Sequence, residues 1–279
     1  MTLRIVTDSS CDLPADIVQS LNVTVVPCNV HFGDQVYRDG VDIKAAEFYQ
    51  RLATGGVHPT TSQPSVGAFV EAYQRLGKET NEVLSLHLSS KLSVTSHSAE
   101  LAKQEVKSGP RIEVVDSLTV SLGLGILVRE VAKMARDGAT LADAMAFLKR
   151  ELPNARSYCT VDTLTYLVRG GRASRLQGFF GGLLDIKPII EVRDGETHPV
   201  DRVRTRRKAM ARFAEIVAAA KGVRAVGVLH AASPEDGRAL ADLCAAHFSR
   251  DQMIVSEFSS VMGAHLGPKA LGLALWVGA

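Results

Sequence analysis

Hydroxyl side chains are concentrated between two prolines in the segment HPTTSQPS, residues 58–65. Thr60, Thr61 and Ser62 are adjacent there, and the flanking prolines restrict the backbone on both sides. Such a segment can present a rigid set of donors to a carboxylate or a phosphate. An ordinary polar loop, in which Ser65 caps the following helix, explains the same residues. The sequence leaves both interpretations open.

A second cluster of hydroxyls lies in HLSSKLSVTSHSAE, residues 87–100. The segment follows a predicted strand and is expected to enter a helix at about Ser93. Exposed backbone N–H groups and the helix dipole favour an anion at such a position. A serine-rich helix cap is the alternative. The hydroxyl-bearing residues are Ser89, Ser90, Ser93, Thr95 and Ser96.

Acidic and hydroxyl residues also follow the first predicted strand, in TDSSCDLP, residues 7–14. Asp8, Ser10 and Asp12 have the chemistry to hold a metal ion or a phosphoryl group, which would make the protein an enzyme. Asp12 followed by Leu13 and Pro14 is also an ordinary helix start, and we favour that structural interpretation. Because no second acidic cluster with metal-ligand spacing is present, we expect neither a metal site nor a catalytic residue.

Five cations fall within seven positions of the segment VDRVRTRRK, residues 200–208. A basic run of this kind is usually a solvated face, although it is also the kind of patch that binds nucleic acid. A formal net charge of only +2 and the lack of a recognition motif argue against nucleic acid as a partner. The cations are Arg202, Arg204, Arg206, Arg207 and Lys208.

His265 stands in GAHLGPKALG, residues 263–272, where glycines flank it on both sides. A lone histidine is more often structural than functional. The glycines and Pro268 predict a turn at this position rather than an apolar helix face. His265 therefore remains a candidate for binding a polar group.

The composition is that of a globular protein of 279 residues, with 46% hydrophobic and 22% charged residues. Aromatic residues make up only 5%, so the cores must be aliphatic, and stacking platforms for single-stranded nucleic acid are not expected. The four cysteines lack metal-binding spacing, which fits a reducing cytosol. The charged start MTLRIVTDSS and the prolines within the charge-free stretch 52–70 favour a cytoplasmic protein without a transmembrane segment.

Short aliphatic runs alternate with amphipathic stretches through the first half of the chain. Strict alternation of strand and helix predicts right-handed βαβ units and a mainly parallel sheet. Ligands of such sheets gather beyond the carboxyl ends of the strands, where the three polar segments lie. Strands are predicted at 3–7, 23–30, 82–88 and 111–116, and helices around 14–20, 44–53, 65–77, 94–107, 119–136 and 140–152.

A domain boundary is expected at Pro153 and Asn154, which interrupt the pattern. We therefore divide the chain into an N-terminal α/β domain, residues 1–155, and a smaller C-terminal α/β or α+β domain, residues 156–279. The second part reads as a strand at 156–161, two short helices and a hairpin that turns at Asp194 and Gly195. A helix at 205–220, a strand at 224–231, a helix at 234–248, a strand at 253–258 and a last run, ALGLALWVG, at 270–278 follow.

Eight motifs, in this order, resemble the DegV family of fatty-acid-binding proteins, which includes the lipid-binding (FakB) subunits of bacterial fatty acid kinase. They run from residue 7 to residue 268, so the resemblance covers nearly the whole chain. One such motif alone is weak, but eight in register are specific. The motifs are TDSSCDLP (7–14), TTSQPS (60–65), LSSKLSVTSHSA (88–99), DS (116–117) with SLGLG (121–125), LVRGGR (167–172), KPI (187–189), VRTRRKA (203–209) and AHLGP (264–268).

The resemblance implies a two-domain carrier that holds one long-chain fatty acid, such as palmitate, stearate or oleate, in a buried tunnel between the domains. It implies no cofactor and no catalysis by the carrier itself. A separate ATP-using kinase subunit (FakA-like) would phosphorylate the bound acid to acyl-phosphate for lipid synthesis. The carboxylate ligands carried over from the family motifs are Thr61, Ser62, Ser93 and His265.

Four arginines are expected to contact the partner kinase, because acyl-phosphate and ATP are both anionic. They are Arg172 of the G-G-R motif and Arg204, Arg206 and Arg207 of the basic run. The segment GFFGGLL, residues 178–184, is a candidate lid, and a plain core helix is the alternative. Two departures from the family pattern, Val94 and Lys269, stand where glycine is common and affect the expected carboxylate geometry.

Overall fold

A computed structural model describes residues 3–173, 176, 178 and 186–278 of the chain. Its thirteen strands are β1 (Arg4–Asp8), β2 (Thr24–Val26), β3 (Asn29–Phe32), β4 (Gln35–Arg38), β5 (Thr60–Ser62), β6 (Glu82–His87), β7 (Arg111–Asp116), β8 (Ala155–Thr160), β9 (Lys187–Arg193), β10 (Glu196–Val203), β11 (Val223–His230), β12 (Ile254–Glu257) and β13 (Leu271–Val277). These strands form three sheets.

Ten α-helices are described between the strands, and most begin and end within two residues of the predicted bounds. They are α1 (Ala15–Ser20), α2 (Ala45–Thr54), α3 (Val66–Leu76), α4 (Thr95–Glu105), α5 (Leu122–Arg136), α6 (Leu141–Glu151), α7 (Thr165–Arg169), α8 (Arg206–Ala219), α9 (Pro234–Cys244) and α10 (Ser260–Leu266). Helix α10 was not predicted, and α9 ends four residues earlier than expected. No helix of the described ranges is long and apolar enough to cross a membrane.

The first sheet is fully parallel, with the strand order β2-β1-β6-β7. The predicted strand 23–30 is wrong as a single element, because the chain leaves this sheet after Val26. Pro27, which lacks a backbone N–H, separates β2 from β3. Strand β3 instead pairs with β4 and β5 in a small antiparallel sheet. Strands β4 and β5 were not predicted, since each is short.

The second large sheet has the order β10-β9-β8-β13-β11-β12, and all its strands follow residue 154. Only the β11–β12 pair is parallel. The predicted hairpin is confirmed: β9 and β10 turn at Asp194 and Gly195, both of which have positive φ. The predicted class, a mixed α/β fold with a parallel N-terminal sheet, is confirmed.

Helix α5 contacts strands of both large sheets. Leu122 and Ile126, one turn apart, pack into one hydrophobic core cluster, whereas Leu124, Leu127 and Val131 on the other face pack into a second. The helix is therefore apolar on both faces, which explains the uninterrupted run LGLGILV in its sequence. It joins the two halves of the molecule through apolar contact on either side.

Candidate functional site

A cavity of about 440 Å³ lies between residues of the two halves, within the range of roughly 300–1,000 Å³ usual for small-molecule sites. Most of its wall is apolar, and residues from the first half, the second large sheet and α10 contribute to it. Its aliphatic side chains include Leu88, Leu122, Ile190, Leu229 and Leu273.

All four residues expected to bind a carboxylate, Thr61, Ser62, Ser93 and His265, line this cavity. Thr61 Oγ1 lies 2.8 Å from Nε2 of His265. Ser62 and Ser93 have other partners: Ser62 Oγ lies 2.9 Å from His31 Nε2, and Ser93 Oγ lies 2.9 Å from Thr95 Oγ1. The structure thus brings Thr61 and His265 into direct contact and places the two serines along the same cavity.

Two short elements position the Thr61–His265 pair. Thr61 lies in the middle of β5, opposite Val30 of β3, so the segment predicted as a loop is instead fixed by strand pairing. His265 lies near the end of α10, not in a turn as the sequence suggested. The helix ends at Gly267, whose φ of 74° favours glycine. The expected cap is also present: Ser65 Oγ accepts a hydrogen bond from the Ala68 N–H.

His265 is neutral at neutral pH. Burial lowers its pKa from 6.5 to about 4, and the nearby Arg172 and His58 lower the pKa further because like charges repel. The imidazole therefore acts as a hydrogen-bonding group and not as a cation. The neutral ring has one nitrogen that donates a hydrogen bond and one that accepts.

Gly170 is a site residue that the sequence reasoning did not single out. A Cβ atom at this position would lie 2.3 Å from Nδ1 of His265, which is far too close. The glycine has an ordinary φ of −74°, so backbone freedom is not the reason for it. The paired glycines of the motif LVRGGR were the available signal, and one of them makes room for the histidine ring.

The four arginines expected at a partner surface have different surroundings. Arg172 lines the cavity, donates from Nε to the Leu92 carbonyl at 3.1 Å and donates from Nη1 to the Gly170 carbonyl. Arg206 donates to Asp236 at 2.7 Å and to the Lys269 carbonyl at 2.5 Å. It therefore connects the start of α8 to the start of α9 and to the loop between α10 and β13.

The other two of these four arginines, Arg204 and Arg207, are exposed at the surface. Within the described part of the chain, Arg204 and Arg207 are exposed and make no ion pair. Of the four arginines expected at the partner surface, these two have charged groups that can meet a partner without losing an ion pair that the described residues show.

The two departures from the family pattern have different consequences. Val94 directly precedes α4 with φ −84°, a conformation that any residue adopts, and its side chain is exposed. Lys269 has φ 60°, in the left-handed region that favours glycine. Its backbone N–H donates to the Ala231 carbonyl, and its exposed side chain does not line the cavity.

The acidic residues of the first loop are bound to other parts of the protein. Asp8 accepts hydrogen bonds from Ser10, from the Leu88 N–H and from His87 Nδ1 at 2.9 Å. A helix does start after this segment, at Ala15, with Pro14 as its cap residue, whereas the Asp12 side chain bonds to Ser121 and Ser259. Among the described residues, no group of three or more His, Cys, Asp or Glu is arranged to hold a metal ion. Of the candidate lid, Phe179 and Phe180 lie outside the described residues.

Comparison with known proteins shows sequence similarity along nearly the whole chain. The model of the DegV family, whose members it describes as uncharacterised proteins, matches residues 2–277. A DegV domain-containing protein of Deinococcus radiodurans is 40% identical over 99% of this chain and 98% of its own length.

Two solved structures share the fold over the full length of both chains. One, described as showing fatty acid binding of a DegV family protein from Thermus thermophilus, has a TM-score of 0.90 and 34% identity. The other, DegV of Bacillus subtilis, described as a fatty acid binding protein, has a TM-score of 0.90 and 31% identity. Each covers 100% of this chain and is itself covered completely.

Proposed function

The chain belongs to the DegV family, and we propose that its cavity binds one long-chain fatty acid, such as palmitate, stearate or oleate. The observation that carries this proposal is a mainly aliphatic cavity in which polar donors from both halves meet at Thr61 and His265. The carboxylate is bound near Thr61, Ser62, Ser93 and His265. The fatty-acid-binding relatives from Thermus thermophilus and Bacillus subtilis support the proposal.

The free energy of burying a fatty acid agrees with a cavity wall that is mostly apolar and polar only in part. Burying a sixteen-carbon chain at about 0.8 kcal/mol per CH₂ contributes roughly 12 kcal/mol as an upper bound. A buried carboxylate costs several kcal/mol unless it accepts hydrogen bonds. Hydroxyl groups and a neutral imidazole provide those bonds, so donors are needed only where the head group lies.

We further propose that the protein is a carrier without catalysis of its own, which presents the bound carboxylate to a partner kinase. The kinase transfers a phosphoryl group from ATP and produces acyl-phosphate. Arg204 and Arg207, which are exposed, are the side chains best placed to meet such an anionic, ATP-bearing partner. Arg172 lines the cavity and contributes to the positive potential there.

Native mass spectrometry of protein purified gently from a bacterial host tests the proposal. We expect one fatty acid per chain, which delipidation removes and added palmitate or oleate restores. A protein that is ligand-free after gentle purification and takes up neither acid would contradict the carrier function. Turnover of ATP or of a phosphorylated substrate by the isolated chain would favour the enzyme interpretation instead.

A further inference from the structure

Asp12 connects three segments that are distant in sequence. Its Oδ1 accepts a hydrogen bond from the Ser259 N–H at 2.9 Å, across 247 positions. Its Oδ2 accepts one from Ser121 Oγ at 2.5 Å, across 109 positions. Its backbone carbonyl accepts a third from Ser256 Oγ at 2.7 Å. One buried carboxyl group thus joins the first loop to the start of α5 and to the segment before α10.

Both residues that bond to the Asp12 side chain lie at or next to the cavity wall. Ser121 lines it, immediately before Leu122, and Ser259 directly precedes α10, which contributes Val261 and His265 to the wall. Ser121 has φ 59° and ψ −143°, a backbone conformation that residues other than glycine rarely adopt. Such strain persists only where surrounding contacts hold it, and the hydrogen bond to Asp12 is the contact its side chain makes.

A second carboxyl group supports the same helix but does not reach the other wall. Asp39 Oδ1 accepts a hydrogen bond from the Ser260 N–H at 3.0 Å. It therefore holds the beginning of α10 as Asp12 does. Asp12, unlike Asp39, also bonds to Ser121 at the start of α5. Of these two carboxyl groups, only Asp12 therefore connects α10 to α5 across the cavity.

We propose that Asp12 is a positioning residue for the fatty-acid cavity: it holds the helix that carries His265 in register with the strained wall residue Ser121. This inference rests on the proposed function, because it concerns the same cavity. Asp12 does not line the cavity and acts through Ser259 and Ser121. The position of α10 relative to Ser121 sets where the polar groups lie relative to the aliphatic wall, and one ligand contacts both.

Asparagine can reproduce the contacts of Asp12 in its neutral form. Burial raises the pKa of Asp12 to about 7, although hydrogen bonds from Ser121 and Ser259 lower it, and the nearby Asp39 raises it further. When Asp12 is ionised, its Oδ2 accepts from the Ser121 hydroxyl. When it is protonated, Oδ1 still accepts from the Ser259 N–H, and the Oδ2 hydroxyl can donate to Ser121 Oγ instead. An amide has the same acceptor and donor, whereas alanine has neither.

The test measures palmitate affinity by displacement of a fluorescent fatty acid from the full-length protein. Asp12→Ala, Asp12→Asn and Ser121→Ala are compared with wild type at a temperature where circular dichroism shows each to be folded. We expect Asp12→Ala to weaken binding about tenfold or more, Ser121→Ala to weaken it by less, and Asp12→Asn to stay within about threefold of wild type.

Glu151→Ala is the matched control, because Glu151 is a buried carboxyl group away from the cavity wall. It should lower the melting temperature and leave palmitate affinity unchanged. Wild-type affinity in folded Asp12→Ala, or loss of affinity in Asp12→Asn, would overturn the positioning role. If Asp12→Ala does not fold, wild-type affinity in Ser121→Ala overturns it. Failure of wild type itself to bind palmitate would instead contradict the proposed function.

Discussion

The hydroxyl of Thr61 lies 2.8 Å from Nε2 of His265, although 204 positions separate the two residues. The contact joins the small antiparallel sheet of the first half to the helix before the last strand. Each side chain restricts the orientation of the other. A restricted pair loses less side-chain entropy when it binds a ligand.

The first prediction concerns the hydroxyls and imidazole at the head-group site. Thr61→Ala, Ser93→Ala and His265→Ala should each weaken fatty-acid binding by about 10- to 150-fold, because each lost bond to a charged acceptor costs about 1.5–3 kcal/mol. Equilibrium displacement of a fluorescent fatty acid measures the effect.

The control is Ser65→Ala, which removes the hydroxyl that caps α3 near the same strand. It should lower stability by about 1 kcal/mol and leave affinity unchanged. If all three site variants bound fatty acid like wild type, the carboxylate would lie elsewhere.

The second prediction concerns Gly170, where a methyl group would meet the imidazole of His265. Gly170→Ala should displace the ring, break its contact with Thr61 and weaken binding about as much as His265→Ala does. In a double-mutant cycle, Gly170→Ala should have little further effect once His265 is alanine. Gly67→Ala is the control, since its nearest neighbour would be 3.9 Å from the new Cβ. Additive losses in the cycle would show that Gly170 acts independently of His265.

The sequence predicted local elements well and long-range contacts poorly. Strand β7, for example, has the predicted bounds, because apolar runs and helix periodicity are local signals. The prediction of a single strand at 23–30 was wrong, because the chain changes sheet at Pro27. The sequence around Pro27 does not show which sheet each flanking segment joins. His265 was misplaced because glycines on both sides suggested a turn, although Gly267 ends a helix. The bond from Ser259 to Asp12 has no local signal at all.

The third prediction follows from the protonation of Asp12. Burial raises its pKa from 3.8 to about 7, so the native protein keeps a proton that the unfolded chain releases near pH 4. Stability from this group is complete below about pH 4, declines as the pH rises to about 7 and is level above that. Asp12→Asn removes the dependence. As the pH rises from about 4 to about 7, we therefore expect the free energy of unfolding of the variant to increase relative to that of wild type, by at most about 4 kcal/mol.

Measuring the difference between the two proteins removes most contributions from other groups. Asp39 is the acidic neighbour of Asp12, and burial raises its pKa too. Burial also raises the pKa of Cys11 and of Tyr49, so both stay neutral between pH 4 and 8. Urea unfolding at pH 4.5, 6 and 8 tests the prediction. A constant difference at the three pH values would show that Asp12 is ionised throughout.

The fourth prediction concerns Glu151 and Trp276. Trp276 Nε1 donates to the buried Glu151 Oε2 at 3.0 Å, and Arg150 and Arg224 pair with the same carboxyl group. Glu151→Ala leaves the indole N–H without this acceptor and should cost about 1–3 kcal/mol. Because Trp276 is the single tryptophan, its fluorescence reports this contact directly. Unchanged fluorescence and unchanged stability in the variant would contradict the prediction.

The last prediction separates the exposed arginines from the one that the fold uses. Reversing Arg204 and Arg207 to glutamate should leave the fatty-acid content unchanged, because neither side chain lines the cavity. It should lower the rate at which a fatty acid kinase subunit and ATP phosphorylate the bound acid, most strongly at low salt, where electrostatic steering is greatest. Arg206→Glu should instead destabilise the protein, because it places a carboxylate against Asp236.

The matched control reverses Lys78 and Lys107, two exposed lysines of the first half, and changes the net charge by the same amount. It should leave phosphorylation unchanged. The assay requires that native mass spectrometry find the lipid still bound in both double variants. Equal phosphorylation rates for the arginine variant and wild type, at low and at high salt, would show that this cationic surface is only solvated and that the kinase contacts the carrier elsewhere.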